Sequence, residues 1–222
     1  MSTFAQKAIK YFTNIKTQDN LPSKIDIVNP YKSKEVKKVV MMFFEKYFND
    51  SKNRIFVFGI NPGRFGGGLT GISFTDPVAL RNECDIENNL GTQKELSSKF
   101  VYRFINEYGG PEKFYRKYFI TALFPLALLK DGKNHNYYDS KELFRSIKPH
   151  IIETMKKQIA FGAKRKFAVS LGKKNFEYLN KINDEFRFFE EVRFVEHPRH
   201  IMQYRLKKIN VYLYKYLQVI KT

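Results

Sequence analysis

Two residues of this 222-residue sequence sit where α/β proteins place their chemistry. Asn61 follows the apolar run Ile55 to Ile60 and leads straight into Pro62 and Gly63. His197 follows a second such run, Val192 to Val195, and leads into Pro198. Ligands of open α/β sheets bind beyond the carboxyl ends of the strands. An asparagine amide carries both donors and an acceptor, so it can orient a water or read an amide-like base edge. A histidine can donate to an oxygen on which charge develops, or supply a proton. Taken singly, each is more often structural, because Asn-Pro-Gly is a common turn. Together, at one sheet edge, they make a site. The adjoining loop, Arg64 to Gly71, holds Gly66, Gly67, Gly68 and Gly71, and glycine lets a backbone approach a ligand closely.

Other chemistries lack their residues. Gly63 to Gly68 is followed by Leu69 where a P-loop needs Lys, and the G-x-G-x-x-G dinucleotide fingerprint is absent. The single cysteine, Cys84, rules out a disulfide framework and a thiolate zinc site. His197 and His200 are three apart, but Pro198 between them argues against a helix that would align them as metal ligands. No acidic pair has ligand spacing, so a metal site has no support in the sequence. Ser170 lies in FAVSLG and not in a G-x-S-x-G elbow.

The elements that must position Asn61 and His197 follow from periodicity. Ile55 to Ile60, Tyr118 to Leu123, Phe167 to Leu171 and Val192 to Val195 read as strands. Helical stripes run over Phe4 to Ile15, Val36 to Tyr47, Phe100 to Tyr108, Ile151 to Ile159 and Ile209 to Ile220. Ser33 can cap the second stripe, and Gly109-Gly110-Pro111 stops the third. Leu21 to Lys32 reads as an extended connector, Pro77 to about Leu90 as a short helix or turn, and Lys130 to Asp139 as a polar loop. Alternating strands and helices imply a parallel sheet covered on both sides, in one domain over residues 1–222. The loops after all four strands then meet at one edge.

Composition points to the partner. Forty Lys and Arg against 22 Asp and Glu give a net charge of +18, and an excess of that size favours nucleic acid. The N-terminal residues lack a signal-peptide core and no run reaches transmembrane length. A cytoplasmic monomer with no membrane partner is the expectation.

These residues also carry a resemblance. Gly59-Ile60-Asn61-Pro62-Gly63-Arg64-Phe65-Gly66, followed by Thr70-Gly71-Ile72-Ser73-Phe74, resembles the first motif of single-strand-selective monofunctional uracil-DNA glycosylases. In that family it reads Gly-Met-Asn-Pro-Gly-Pro-Phe-Gly, then Thr-Gly-Val-Pro-Phe. Gln93 and Glu95-Leu96-Ser97 are similar to its Gln-x-Glu-Val-Ser segment, and Gly132-Lys133-Asn134 to its Gly-Arg-Asn loop. His197-Pro198 resembles the start of its second motif, His-Pro-Ser-Pro-Arg. The wording of Phe74 to Leu80 and Asn136 to Asp139 is closer to a bacterial branch of the superfamily.

The resemblance implies a three-layer α/β/α sandwich around a four-stranded parallel sheet. It implies a monofunctional DNA glycosylase of base excision repair, acting on uracil or a related deaminated or oxidised base and needing no metal or organic cofactor. Asn61 would hold the attacking water and His197 would contact the uracil O2. Phe74 would stack on the base, and Ile60, Pro62 and Gly63 would shape the pocket. The family's uracil-reading Asn falls at Ala122, so Thr121, Asn134 or Asn136 would have to substitute, or the preferred base differs. Ser97 or Ser98, Arg64, Lys173, Lys174 and Arg199 are the candidate DNA contacts. Ile201 and Met202 are candidates for an apolar wedge, or else belong to a helix's core face. The second motif lacks Ser-Pro. With Ala122, that motivates the rival reading, a catalytically inactive nucleic-acid-binding protein on the same scaffold.

Overall fold

The computed structural model describes residues 2–17 and 21–221. In chain order its helices and strands are α1 (Phe4–Phe12), β1 (Ile25–Val28), α2 (Lys34–Phe48), β2 (Ile55–Gly59), α3 (Gly67–Thr70), α4 (Pro77–Asn82), α5 (Leu96–Tyr108), α6 (Pro111–Tyr115), β3 (Tyr118–Ala122), β4 (Ala127–Lys130), β5 (Lys133–His135), α7 (Lys141–Ile159), β6 (Phe167–Leu171), α8 (Lys173–Phe186), β7 (Glu191–Val195), α9 (Pro198–Tyr204) and α10 (Ile209–Ile220).

Strands β3-β2-β6-β7 form the expected four-stranded sheet, and every pairing is parallel. Strands β2, β3 and β6 are buried at every residue, as continuous apolar runs are when helices cover both faces. On one face Phe56 and Phe119 meet Phe4 of α1, with ring centroids 6.2 and 5.1 Å away, and Phe119 meets Phe48 of α2. On the other, the Tyr118 hydroxyl donates to the Ile220 carbonyl of α10, and its ring meets Tyr108 of α5. The α/β/α reading is therefore correct. Because all four strands run the same way, Asn61, Gly172 and His197 converge beyond their carboxyl ends.

Local signals set the helix ends. The Ser33 hydroxyl accepts the Val36 N–H at the start of α2, and Asp76 accepts the Ala79 N–H at the start of α4. Gly109 and Gly110 take positive φ, 114° and 93°, at the end of α5. Helix α7 starts at Lys141, ahead of the expected stretch, and runs through Pro149.

Two segments read as irregular are strands. The polar stretch Lys130 to Asp139 contains β5, which pairs antiparallel with β4 across Asp131-Gly132. Those two residues have φ of 49° and 70°, and a two-residue hairpin turn with both values positive is the type I′ geometry. Within the supposed connector, β1 pairs antiparallel with β4. The resulting side sheet, β1-β4-β5, delivers His135 to the site edge.

The far end of β2 is held by Arg54, which is fully buried. Its guanidinium donates to both Asp50 carboxylate oxygens at 2.9 and 3.1 Å and to the Tyr47 and Lys52 carbonyls, and its Nε donates to the Tyr115 carbonyl. The rings of Phe4 and Phe48 flank it at 4.9 and 4.8 Å. Removing one partner of a buried charged cluster strands the rest. Arg54→Ala is expected to cost ~3 kcal/mol or more in urea unfolding; a loss below ~1 kcal/mol would show that the cluster is dispensable.

Candidate active site

The Asn61 side chain is clamped at both ends of its amide. Its Nδ2 donates to the His135 carbonyl at 3.0 Å, and its Oδ1 accepts the Tyr137 N–H at 3.1 Å. These two bonds fix which way the amide faces and leave one N–H and one lone pair for a water. The clamp is itself anchored. The Tyr137 hydroxyl donates to Asn175 Oδ1 at 2.9 Å, and Asn175 Nδ2 donates to the Phe58 carbonyl and to Ser170 Oγ. Tyr137, Asn175 and Ser170 are fully buried, so this chain ties the loop to β2 and β6. Asp139 closes the turn by accepting from the Asn136 N–H at 2.8 Å, with His135 Nδ1 3.5 Å away.

His197 caps α9. Its Nδ1 accepts the Arg199 N–H at 3.2 Å, which places the ring proton on Nε2. Burial, with Arg199 and His200 adding positive charge nearby, pushes its pKa down to about 4. At neutral pH the ring is therefore an uncharged N–H donor. Pro198 starts the helix at its first position, where proline fits, so the expectation that it argues against a helix is wrong.

The Phe74 ring lies 5.8 Å from the His197 ring. Phe74 has φ of 55°, a conformation that costs a bulky residue energy and that the surroundings must hold. Gly59 is part of that support, because a Cβ there would come within 2.5 Å of the Phe74 ring.

These side chains bound a cavity of about 100 Å³. Every residue assigned to chemistry or to the base pocket lines it: Ile60, Asn61, Pro62, Gly63, Phe74, Ala122, Asn134, Asn136 and His197. A larger cavity, of about 590 Å³, lies between α1 and α7 and contains none of them.

The uracil DNA glycosylase superfamily model matches residues 45–221, most of the chain. The chain belongs to that superfamily. Its structure is similar to the crystal structure of wild-type Pedobacter heparinus SMUG2, with a TM-score of 0.96 and 40% identity over 100% of this chain and 98% of that one. No curated protein matches it.

The remaining candidates divide in this glycosylase. Arg199 and Ser97 reach the cavity wall, and Lys173 and Lys174 are exposed at the start of α8. Arg64 sits on the neighbouring groove. Ser98 is fully buried against the Asp76 N–H and has no access to a phosphate. Neither serine caps α5, which begins at Leu96 with Glu95 before it. Ile201 and Met202 are buried in the core and cannot act as a wedge; Tyr204 and Leu206, nearer the site in sequence than the exposed Val211 and Tyr214, are 66% and 55% exposed. Thr121 is not a base reader either, since its hydroxyl is buried against Gln158 of α7. Tyr137 is buried and cannot stack on a base.

Glu95 lines the same cavity, a role that the sequence analysis does not give it although it belongs to the Glu95-Leu96-Ser97 segment. Its carboxylate fills the space that side chains at Gly63 and Gly66 would occupy, and it accepts from the Phe65 and Gly66 amides. Those two glycines thus make room for an acid rather than a ligand. Burial and nearby Asp76 raise the Glu95 pKa, against the opposing pull of Arg199 and the amides. A lone Glu carries no local pattern, and its contacts lie some thirty residues upstream. Among the described residues, no group of three or more His, Cys, Asp or Glu could hold a metal ion. The Cys84 thiol is buried, bonded to the Tyr102 hydroxyl and pushed up to about 11, chiefly by burial.

In an NMR titration of the imidazole resonances, His197 is expected to stay neutral with its proton on Nε2 through pH 6 and to titrate near pH 4. A His197 midpoint near 6.5 would contradict the half-buried, donor-only geometry.

Proposed function

We propose that this glycosylase hydrolyses the N-glycosidic bond of uracil, or of a related deaminated or oxidised base, in DNA, releasing the base and leaving an abasic site. The observation that carries the reading is the pairing across one cavity of a clamped Asn61 and an uncharged His197 N–H donor.

Breaking the bond between the sugar C1′ and the base nitrogen leaves negative charge on the base and positive charge on the sugar. The spare N–H and lone pair of Asn61 hold a water; its oxygen bonds to C1′ as the base departs with the bonding pair, and the proton that the water sheds passes to solvent or to the departed base anion. His197 Nε2–H donates to the base oxygen where negative charge gathers. A preorganised donor of this kind acts on the transition state more than on the ground state. Because the ring is already neutral, it stabilises the leaving anion without surrendering its proton.

The base must leave the stack to reach the cavity, at a cost of roughly a few kcal/mol. Phe74 offers it a ring to stack on. The net charge of +18, with Arg64, Lys173, Lys174 and Arg199 near the site, supports phosphate contacts along the strand. Tyr204, exposed on α9, takes the wedge role that Ile201 and Met202 cannot fill. A monofunctional reaction accords with the wall of the cavity, where no lysine stands to attack the sugar as an amine nucleophile. With Ala122 offering no polar group, Asn134 is the reader we assign. Its Oδ1 is engaged by the Arg64 N–H at 3.0 Å, which leaves the amide NH₂ to favour a carbonyl over an amino group on the base.

Single-turnover assays on uracil-containing DNA test the reading. Asn61→Ala and His197→Ala are each expected to slow base release by about 10²–10³ with DNA affinity little changed. Unchanged rates in both variants would remove the assignment. In the same assay Asn134→Ala is expected to lose preference among bases while retaining hydrolysis.

A further inference from the structure

Beside the base cavity runs a groove of about 430 Å³ whose apolar residues have no role so far. It shares Glu95 and Asn134 with the cavity, so the two are continuous. Its cations are Arg64, Lys94, Lys133 and Arg199, and its one acid is Glu95, already engaged by two backbone amides. Its apolar residues are Phe65 and Leu96, 46% and 44% exposed. Single exposed apolar side chains need no explanation, but two of this size in one basic groove, next to the base cavity, do.

Phe65 is also held in place. The Arg64 guanidinium lies 4.4 Å from its ring centroid, and Arg64 in turn donates from its side chain to the Gly132 carbonyl and from its backbone to Asn134. The Phe65 and Gly66 amides point at Glu95. One ring face is thus backed by a cation tethered to the β4–β5 turn, and the residue remains 46% exposed. A fixed aromatic surface flanked by cations is the arrangement that takes a nucleotide, base on ring and phosphate on cation.

We propose that this groove seats the nucleotide next to the one drawn into the cavity, its base stacked on Phe65 beside Leu96 and its phosphate among Arg64, Lys94, Lys133 and Arg199. This rests on the DNA glycosylase reading. The seat compensates for the stacking that the neighbouring base loses when the target leaves the helix, and it sets the register of the strand so that the target enters the cavity. Phe65 is a positioning residue here, because it touches neither the target base nor the water.

The test uses an oligonucleotide carrying 2′-fluorodeoxyuridine, which resists hydrolysis, with 2-aminopurine on its 5′ or its 3′ side. Wild-type protein should change the 2-aminopurine fluorescence on one side. Phe65→Ala should abolish that change and weaken binding by about 5- to 150-fold, the range for loss of one base–aromatic stack. Phe65→Trp should restore both, which a mere folding defect would not allow. Phe65→Ala binding with wild-type affinity and unaltered fluorescence on both sides would overturn the seat, as would weaker binding with the fluorescence change intact. Uracil release by the wild-type protein is scored separately: its absence would defeat the glycosylase reading, whereas release with an unaltered Phe65→Ala variant would defeat only the seat.

Discussion

The two hydrogen bonds that hold the Asn61 amide are the constraint on which the rest of the site depends. Both come from backbone groups of a segment more than seventy residues downstream, the His135 carbonyl and the Tyr137 N–H. A strand-end asparagine without them would rotate freely and place a water nowhere in particular. The side sheet β1-β4-β5 makes sense in this light, because it carries His135 to the edge of the main sheet. The buried chain from Tyr137 through Asn175 to Ser170 and the Phe58 carbonyl returns the load to β2 and β6. Its named donors and acceptors are paired, which a buried polar chain must achieve to rigidify rather than weaken its surroundings.

Charge at the cavity is set by burial more than by ion pairing. Burial keeps His197 neutral and raises the pKa of Glu95, which lines the same cavity. Arg199 reaches the cavity wall, while Arg64, Lys94, Lys133 and the lysines at the start of α8 stand outside it. On the proposed reading, that arrangement attracts the strand at long range while the leaving base meets a neutral N–H donor. Gly59 and Phe74 show the same division on the steric side: the missing Cβ lets the ring lie against the strand end in an otherwise unfavourable backbone conformation.

Much of this was legible before any coordinates. The four strands of the parallel sheet are apolar runs ended by turn residues, and buried parallel strands look like that because both of their faces are covered. Asn61 and His197 stood out because polar residues at the ends of such strands converge. The β4–β5 hairpin was missed because its residues are mostly polar and exposed, although Asp131-Gly132 is a type I′ turn signal. Ile201 and Met202 follow the second motif, which makes them candidates for a wedge or for a helix's core face, and apolar type alone does not separate the two. Pro198 does separate them. As the first residue of α9 it starts a helix, and the helix turns both side chains inward. Ser98, Thr121 and Glu95 depend on contacts between distant elements, with Asp76, with Gln158, and with Gly63 and Gly66, which no local pattern encodes.

The most direct test of the central claim is a crystal structure of the Asn61→Ala variant bound to DNA containing an intact deoxyuridine. The account predicts an extrahelical uracil in the cavity, its ring against Phe74 and its O2 within hydrogen-bonding distance, about 2.7–3.2 Å, of His197 Nε2. A uracil left in the stack, or lodged away from His197 and Phe74, would contradict it.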